Sequence, residues 1–138
     1  MTSDVNDMNA RIIDEFRANA GKVGGPFEGR NMLLLHNIGA KSGAQRINPL
    51  VYQTLDGNFA IFASKGGAPT NPAWYHNLVA NPEVTIEVGT ETLDVTARVA
   101  AVAERDQIWT RQKQAIATFA DYEAATDRVI PVVVMERR

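Results

Sequence analysis

Two cations and a hydroxyl group share one short, glycine-rich segment early in the chain. The segment GAKSGAQR at 39–46 carries Lys41, Ser42 and Arg46 and lies between two apolar runs of strand length. An arginine binds an oxyanion through two parallel N–H donors, and the backbone N–H groups of a tight turn converge on an anion. The segment therefore indicates a phosphate or carboxylate site, although a hairpin tip with solvated side chains explains so short a pattern more often.

A second glycine-rich segment, SKGGAPTNP at 64–72, leads into AWYHN at 73–77. A strand end, two adjacent glycines and a helix N-terminus bring backbone donors close to any ligand above the loop. Trp74 and Tyr75 are as easily explained by core packing in an ordinary strand-to-helix connection. His76 is more often a satisfied, partly buried histidine than a base or a ligand. The pattern alone leaves a binding loop and a packed connection equally open.

The third segment, IATFADYE at 116–123, places apolar and aromatic residues at helical spacing. Such spacing usually indicates core packing, and only beside a ligand would these side chains line a pocket. The chain has no cysteine, and its two histidines, His36 and His76, lie far apart in the sequence. Thiol catalysis is therefore excluded and no metal site is expected. We recognise no catalytic triad and no paired catalytic carboxylates.

Length and charge narrow the class of protein further. A chain of 138 residues, of which 45% are hydrophobic, predicts one compact domain spanning 1–138. Its 14 basic and 16 acidic residues give a net charge of −2, which indicates binding neither to nucleic acid nor to an anionic membrane. No run of about 18 apolar residues suggests a membrane span, and the N-terminus lacks a signal-peptide pattern. We therefore expect a cytoplasmic protein.

Hydrophobic periodicity predicts hairpins interrupted by single helices. Asp56-Gly57 is the strongest turn signal, because a type I′ hairpin turn needs left-handed backbone. Pro72 should begin the second helix, capped by Thr70 or Asn71, and Pro131 should place the last strand at an edge or bulge. The predicted helices are 6–20, 72–80 and 103–119, and the predicted strands are 32–36, 47–55, 58–63, 83–88, 92–102 and 129–135. This order favours a mainly antiparallel α+β fold, a β-barrel with helices packed outside.

Four blocks of sequence, in one order, resemble a known family. They are GAKSGAQRINPL (39–50), ASKGGAPTNPAWYHNLVANPEV (63–84), FADYEAAT (119–126) and IPVVVMER (130–137). From about Arg11 to its C-terminus the chain resembles the actinobacterial deazaflavin-dependent nitroreductases and quinone reductases. These are small proteins with an FMN-binding split-barrel-like fold that use coenzyme F420. The resemblance implies an oxidoreductase that transfers hydride from reduced F420 to an organic acceptor such as a quinone, an enone or lactone, or a nitro compound.

The resemblance also implies where the coenzyme would bind. F420 carries a flat tricyclic ring and a long tail with a phosphate and glutamates, so an anion site must lie far from a ring site. Lys41 and Arg46 match the family's basic turn and would bind the phosphate or the tail. The implied coenzyme-binding residues are Ala40, Lys41, Ser42, Arg46, Ile47, Asn48, Phe62, Ala63, Ser64, Lys65, Ala73, Trp74, Tyr75, His76, Asn77 and Phe119.

On the acceptor side, the implied pocket residues are Val51, Ile116, Phe119 and Tyr122. Ser64 and Tyr122 are the implied catalytic residues, because either hydroxyl would hydrogen-bond the acceptor oxygen that gains electron density. Nitroimidazole-reducing members of the family have tyrosines near the positions of Val51, Ile116 and Phe119. The pocket is therefore expected to be more apolar here and to favour quinones or other flat conjugated acceptors.

Two other functions stay open at this point. An FMN-dependent split-barrel reductase would need a similar phosphate cradle, and a non-catalytic protein could carry or sequester the deazaflavin. The expected partner is a small-molecule acceptor, and a lipid quinone in that role would imply peripheral contact with a membrane. The sequence leaves both a monomer and a homodimer open.

Overall fold

The computed structural model describes residues 4–138, and within them six strands and four α-helices make up the fold. The strands are β1 (Met32–Ile38), β2 (Gln45–Leu55), β3 (Asn58–Phe62), β4 (Glu83–Val88), β5 (Glu91–Val99) and β6 (Val132–Arg137). The helices are α1 (Asp4–Ala18), α2 (Ala73–Ala80), α3 (Val102–Ala115) and α4 (Thr118–Ala124), with 3-10 turns at Gly25–Phe27 and Lys65–Gly67. The predicted element order is confirmed, except that the third predicted helix is divided into two.

All six strands pair antiparallel with both neighbours and close a barrel in the order β1-β2-β3-β6-β5-β4. The β2–β3 hairpin turns at Asp56 and Gly57, whose φ angles of 50° and 83° are the two left-handed values of a type I′ turn. The prediction of a mainly antiparallel α+β fold, a split β-barrel with flanking helices, is therefore confirmed.

Strand β2 changes partners partway along its length. Residues 45–51 pair with β1, whereas residues 52–55 pair with β3. The first stretch therefore has a strand neighbour on one side only, and the barrel is split along its other edge. Pro49, which cannot donate a ladder hydrogen bond, lies in this one-sided stretch, as expected of a strand edge. This open edge faces the loop after β3 and is the place where a site can form.

The strands bury apolar side chains on both faces of the barrel. Trp74 and Leu78 of α2 close the interior at the end where β3 finishes, and burying a large apolar side chain stabilises by about 1.5–3 kcal/mol. The interior cluster contains Leu33, Leu35, Phe59, Ile61, Ala63, Val84, Ile86, Val95, Ala97, Val133 and Met135. A second cluster outside the barrel contains Ala60, Phe62, Ile108, Trp109, Phe119, Ile130, Val132 and Val134, beneath α3 and α4.

Helix α1 covers a third apolar cluster on the outer face of β1 and β2. Ile12 and Phe16 pack there with Met32 and Leu34. Polar contacts at the other end of the helix hold it in place: Arg17 Nη2 lies 2.7 Å from Glu87 Oε2, and His36 Nε2 lies 2.6 Å from the same oxygen. The hydrogen bonds from Arg17, followed by those from His36, lower the pKa of the Glu87 carboxyl. The C-terminal end of α1 is thereby held against β4.

The single helix predicted over 103–119 is wrong, because the chain breaks at Ile116. That residue is extended (φ −135°, ψ 99°), and α4 starts at Thr118. The break turns Phe119 onto Phe62, with ring centroids 5.4 Å apart. Glu123 then accepts hydrogen bonds from Trp109 Nε1 at 2.6 Å and Lys113 Nζ at 2.9 Å, which tie α4 to α3. The strand predicted over 92–102 is also shorter than expected, because β5 ends at Val99.

Two proline-based predictions are also corrected. Neither Thr70 nor Asn71 caps α2, because Pro72 itself is the residue before the helix and no side chain caps it. The Asn71 side chain instead accepts a hydrogen bond from Arg128 at 2.7 Å. Pro131 precedes β6, which pairs with β3 and β5 on both sides, so the last strand is neither an edge nor a bulge.

The two glycines after β3 should differ in their tolerance of a side chain. Gly66 and Gly67 both have left-handed φ angles, 63° and 83°, so alanine at either position costs roughly 1–2 kcal/mol. A Cβ at Gly67 would also lie 2.8 Å from the Tyr122 carbonyl oxygen and 2.7 Å from Ala125 Cβ, whereas one at Gly66 meets no atom within 4 Å. Gly67→Ala should therefore lose about 1–3 kcal/mol more unfolding free energy than Gly66→Ala in urea denaturation. Equal losses would contradict this packing of α4 on the turn.

Candidate active site

Two adjoining cavities open at the split of the barrel. The basic cavity, of about 1000 Å³, is lined by Gly39, Ala40, Lys41, Ser42, Arg46, Asn48, Lys65, Pro72, Ala73, Trp74, His76 and Asn77. The apolar cavity, of about 290 Å³, is lined by Asn9, Phe27, Arg30, Met32, Asn48, Pro49, Leu50, Val51, Phe62, Ser64, Lys65, Gly66, Pro72, Trp74, Phe119 and Tyr122. The two cavities share four residues, Asn48, Lys65, Pro72 and Trp74, and therefore form one continuous cleft.

Three asparagine side chains join the strands, α2 and the 39–46 turn. Asn77 Nδ2 donates to Asn37 Oδ1 at 2.7 Å, and Asn37 Nδ2 donates to Asn48 Oδ1 at 2.9 Å. Asn77 Oδ1 accepts the Ala40 N–H at 2.9 Å. Because Asn37 and Asn77 are buried, leaving either unpaired would be costly, so the network fixes the turn against the helix. The sequence did not indicate a role for Asn37, because a single polar residue in an apolar strand forms no recognisable motif.

The turn offers fewer free backbone donors than its sequence suggests. The N–H groups of Gly39 and Gly43 donate to backbone oxygens at 2.8 and 2.9 Å, and those of Ala40 and Ala44 donate to side chains. Among the described residues, the N–H groups of Lys41 and Ser42 have no acceptor within the turn. Anion binding here would therefore depend mainly on side-chain charge.

Three cations and no described carboxylate line the basic cavity. Lys41, Arg46 and Lys65 are exposed at its surface, and none forms an ion pair with another described residue. A cation cluster in a protein of net charge −2 creates a local field that attracts anions. His76 is exposed on the rim and contacts the Tyr75 ring edge-on at 5.4 Å, so the expectation of a partly buried, satisfied histidine is wrong.

The segment after β3 is a left-handed turn. Ser64 is right-handed (φ −74°, ψ −40°), and Lys65, Gly66 and Gly67 follow with φ angles of 48°, 63° and 83°. A right-handed residue followed by a left-handed one directs successive N–H groups at a common point, which is an anion-binding nest. The left-handed Lys65 costs roughly 1–2 kcal/mol, so neighbouring structure must hold the turn.

Arg128 holds this turn through three hydrogen bonds. Its guanidinium donates to the carbonyl oxygens of Ser64 and Ala68, each at 2.8 Å, and to Asn71 Oδ1 at 2.7 Å. Burial lowers the pKa of Arg128, since a guanidinium removed from water is less easily charged. Sequence reasoning missed Arg128, because a single arginine in a polar loop has no distinguishing neighbours.

Aromatic edges and two free hydroxyls define the apolar cavity. The Phe119 ring packs edge-on against Phe62 at 5.4 Å and Tyr122 at 5.2 Å. Trp74 is 6% exposed and contributes to both the barrel core and the cleft. Within the described part of the chain, the hydroxyl groups of Ser64 and Tyr122 make no hydrogen bond, which leaves both available to a ligand.

Four of the residues expected at the site lie outside the cleft. Ile47 packs beside α1, Ala63 faces the barrel interior, and Ile116 packs beneath α3 and α4. Tyr75 borders a separate apolar groove between α2 and β5. The structure places all the other expected residues along the cleft, and it adds residues that the sequence did not suggest, among them Asn9, Phe27 and Arg30.

The fold is a split barrel, and comparison with known proteins identifies the family. Residues 9–137 match the model of the F420H(2)-dependent quinone reductase family. F420H(2)-dependent quinone reductase Rv1261c of Mycobacterium tuberculosis is 39% identical over 127 residues, which cover 89% of this chain and 85% of that protein. The chain belongs to the F420H(2)-dependent quinone reductase family, which confirms the resemblance, the class of enzyme and the coenzyme expected from the sequence.

Two solved structures are also similar. An F420-H2 dependent reductase, FDR-A, is 42% identical with a TM-score of 0.70, over 78% of this chain and 95% of that one. A chain described as a domain-swapped dimer is 35% identical with a TM-score of 0.72, over 97% of this chain and all of that one. In the described residues of this protein, no helix is long and apolar enough to cross a membrane.

Replacing Arg128 by lysine should test whether its planar, forked geometry supports the turn. Lysine keeps the positive charge but cannot reach three acceptors in this arrangement, so roughly 2–3 kcal/mol of unfolding free energy should be lost. The matched control is Arg111→Lys, since Arg111 is exposed and, among the described residues, donates a single long hydrogen bond, 3.3 Å to Gln53. Urea denaturation measures the stability of both variants. Indistinguishable midpoints would show that the forked geometry of Arg128 does not support the turn.

Proposed function

We propose that this protein binds reduced F420 along the cleft and uses it to reduce a flat conjugated acceptor, a quinone in preference to a nitroimidazole. One observation supports this most strongly: among the described residues, cations without carboxylates line one end of the cleft, and aromatic side chains line the other. A coenzyme with an anionic tail and a flat ring needs these two environments side by side.

The size and chemistry of the cleft fit that coenzyme. Ligand sites usually have volumes of about 300–1,000 Å³ and combine apolar surface with a few placed polar groups. The basic cavity, at about 1000 Å³, is large enough for a long tail, and the apolar cavity, at about 290 Å³, suits a ring edge together with a small acceptor. No described His, Asp or Glu residues cluster as metal ligands.

Lys41 and Arg46 would bind the phosphate and tail in the basic cavity. Arg46 can pair with a phosphate bidentately, and Lys41 adds a point charge from the turn. The asparagine network keeps this turn at a fixed distance from α2, because Asn77 holds the Ala40 N–H. A preorganised turn loses little conformational entropy on binding, which favours affinity.

The left-handed turn would face the electron-rich edge of the ring. The N–H groups of Ser64, Lys65 and Gly66 point toward a common centre, and the Lys65 ammonium adds charge there. Bound reduced F420 supplies the hydride. The Ser64 or Tyr122 hydroxyl would donate a hydrogen bond to the acceptor oxygen as electron density reaches it, and water would supply the remaining proton.

The two alternative functions are less well supported. Membership of the family favours F420 over FMN as the coenzyme. A carrier protein would need no acceptor space, whereas the apolar cavity extends past the turn to Tyr122 and α1. The one-domain organisation, the cytoplasmic location, peripheral membrane contact and the choice between monomer and homodimer stay predictions.

The tail site makes a charge-specific prediction. Lys41→Ala and Arg46→Ala should each weaken F420 binding by about 1.5–3 kcal/mol, because each removes a charge-assisted hydrogen bond. The loss should shrink as salt concentration rises. Fluorescence titration of F420 measures the dissociation constant, with Arg137→Ala as the control, since Arg137 is exposed and lies at the opposite end of the barrel beside Asn58. Unchanged affinity in both turn variants would show that the turn is an ordinary hairpin tip with solvated side chains.

The choice of acceptor tests the function itself. The protein should reduce 1,4-naphthoquinone with a higher kcat/KM than a nitroimidazole, because burying apolar area in an apolar pocket stabilises by roughly 25 cal/mol per Å². The loss of F420H2 absorbance measures both rates. Phe119→Tyr should narrow that difference by adding a hydroxyl to the cavity. Phe119→Leu is the control, because it changes the side chain at this position without adding a polar group. No oxidation with any quinone would refute the proposed function, and faster nitroimidazole reduction would refute its acceptor preference.

A further inference from the structure

An arginine that none of the proposed steps uses lines the apolar cavity. Arg30 belongs to the loop between α1 and β1, is partly buried, and borders the cavity together with Phe27 and Asn9. Its backbone N–H donates to the Phe27 carbonyl oxygen at 3.0 Å. Its guanidinium makes neither a hydrogen bond nor an ion pair with any residue in the range 8–138. Withdrawing a charge from water without a partner is unfavourable, so this side chain suits an anionic ligand.

No charged side chain in the range 8–138 forms an ion pair with Arg30. Among the described residues, no Asp or Glu lines the apolar cavity, and Lys65 is its one other cation. Lys65 borders both cavities and lies in the turn that would face the electron-rich ring. Arg30 also lines a neighbouring cavity together with Glu15 and Glu28, but it forms an ion pair with neither carboxylate, and Glu15 accepts the Gly24 N–H at 2.7 Å. On the side of the apolar cavity, where the acceptor would lie, no described carboxylate therefore balances the Arg30 charge.

The loop that carries Arg30 is fixed at several points. The Asn31 carbonyl oxygen accepts the Tyr52 N–H at 3.0 Å, which ties the residue after Arg30 to β2. Gly21 approaches the β4–β5 turn so closely that an added Cβ would lie 2.8 Å from Gly89 Cα. A loop held at both ends places Arg30 at the cavity before any ligand binds, which is the arrangement expected of a residue that selects its ligand.

We propose that Arg30 determines acceptor specificity by binding an anionic substituent, so that the preferred acceptor is a flat quinone carrying a carboxylate, a sulfonate or an ionised hydroxyl beside its ring. This inference rests on the proposed function. The substituent itself does not react: the quinone gains a hydride from reduced F420 and one proton from water, which gives the hydroquinone and oxidised F420. Phe27 would contact the flat ring, and the Asn9 amide would lie at its edge.

Two quinones that differ by one charge test the assignment. Arg30→Gln should lower kcat/KM for 1,4-naphthoquinone-2-sulfonate by about 10- to 100-fold, the range expected when one charge-assisted hydrogen bond is lost. It should change kcat/KM for neutral 1,4-naphthoquinone by less than about 3-fold and leave the F420 dissociation constant unchanged. Arg30→Lys should retain part of the preference for the sulfonate, because the charge remains. Lys22→Gln is the control, since Lys22 is an exposed cation in the same loop that borders only the neighbouring cavity.

The result that overturns the proposal is an equal loss for both quinones, which would make Arg30 a structural residue. A direct binding measurement keeps the outcome separate from that of the proposed function. With oxidised F420 present, calorimetry should show that the sulfonated quinone binds the wild-type protein at least about 10-fold more tightly than it binds Arg30→Gln. If no quinone is turned over, the proposed function fails while this difference still supports the anion site. Equal binding to both proteins would refute the anion site whatever the activity.

Discussion

The left-handed turn after β3 is the constraint on which the cleft depends. It places a non-glycine residue, Lys65, at φ 48°, which costs free energy. Such a turn is stable only if neighbouring structure holds it. Arg128 binds the carbonyl oxygens of Ser64 and Ala68, and α4 packs so closely that Gly67 has no room for a side chain. The packing of α4 also brings Tyr122 beside the turn, so that the same contacts position the turn and Tyr122.

The split of the barrel explains why the turn has space in front of it. Strand β2 leaves β1 for β3 between residues 51 and 52, and the edge of its first half has no strand beside it. A fully paired barrel would cover this edge and leave no cleft. Asn48 and Arg46 lie on this stretch, and the buried asparagine pair between β1 and α2 sets the distance across it. The stability of the core and the shape of the cleft therefore depend on the same strand.

Local sequence signals predicted most of the fold because they are strong here. Alternating apolar residues marked the strands, and Asp56-Gly57 marked the hairpin correctly. The break at Ile116 could not be predicted, since no glycine or proline lies there and the break follows from Phe119 packing on Phe62 and Trp109. The α2 cap was mispredicted because Asn71 bonds Arg128, a partner far away in the sequence.

The cleft was only partly predictable from the sequence, because some of its residues depend on contacts with distant parts of the chain. The two glycine-rich segments and the family's basic turn carry recognisable patterns, and most residues named from them line the cleft. Asn37, Arg128 and Arg30 carry none, because each acts through contacts that only the folded chain creates. Alternation along a strand also places neighbours on opposite faces, which is why Ala63 and Ile47 point away from the cleft while Phe62 and Asn48 line it.

A crystal structure with oxidised F420 would test the central claim most directly, since it locates the ring and tail together. The account predicts the tail phosphate within hydrogen-bonding distance of Lys41 or Arg46. It predicts the ring beside Trp74, with its polar edge facing the N–H groups of Ser64 to Gly66. A coenzyme bound in the groove between α2 and β5, or with its ring in the basic cavity and its tail toward Phe119, would contradict the account.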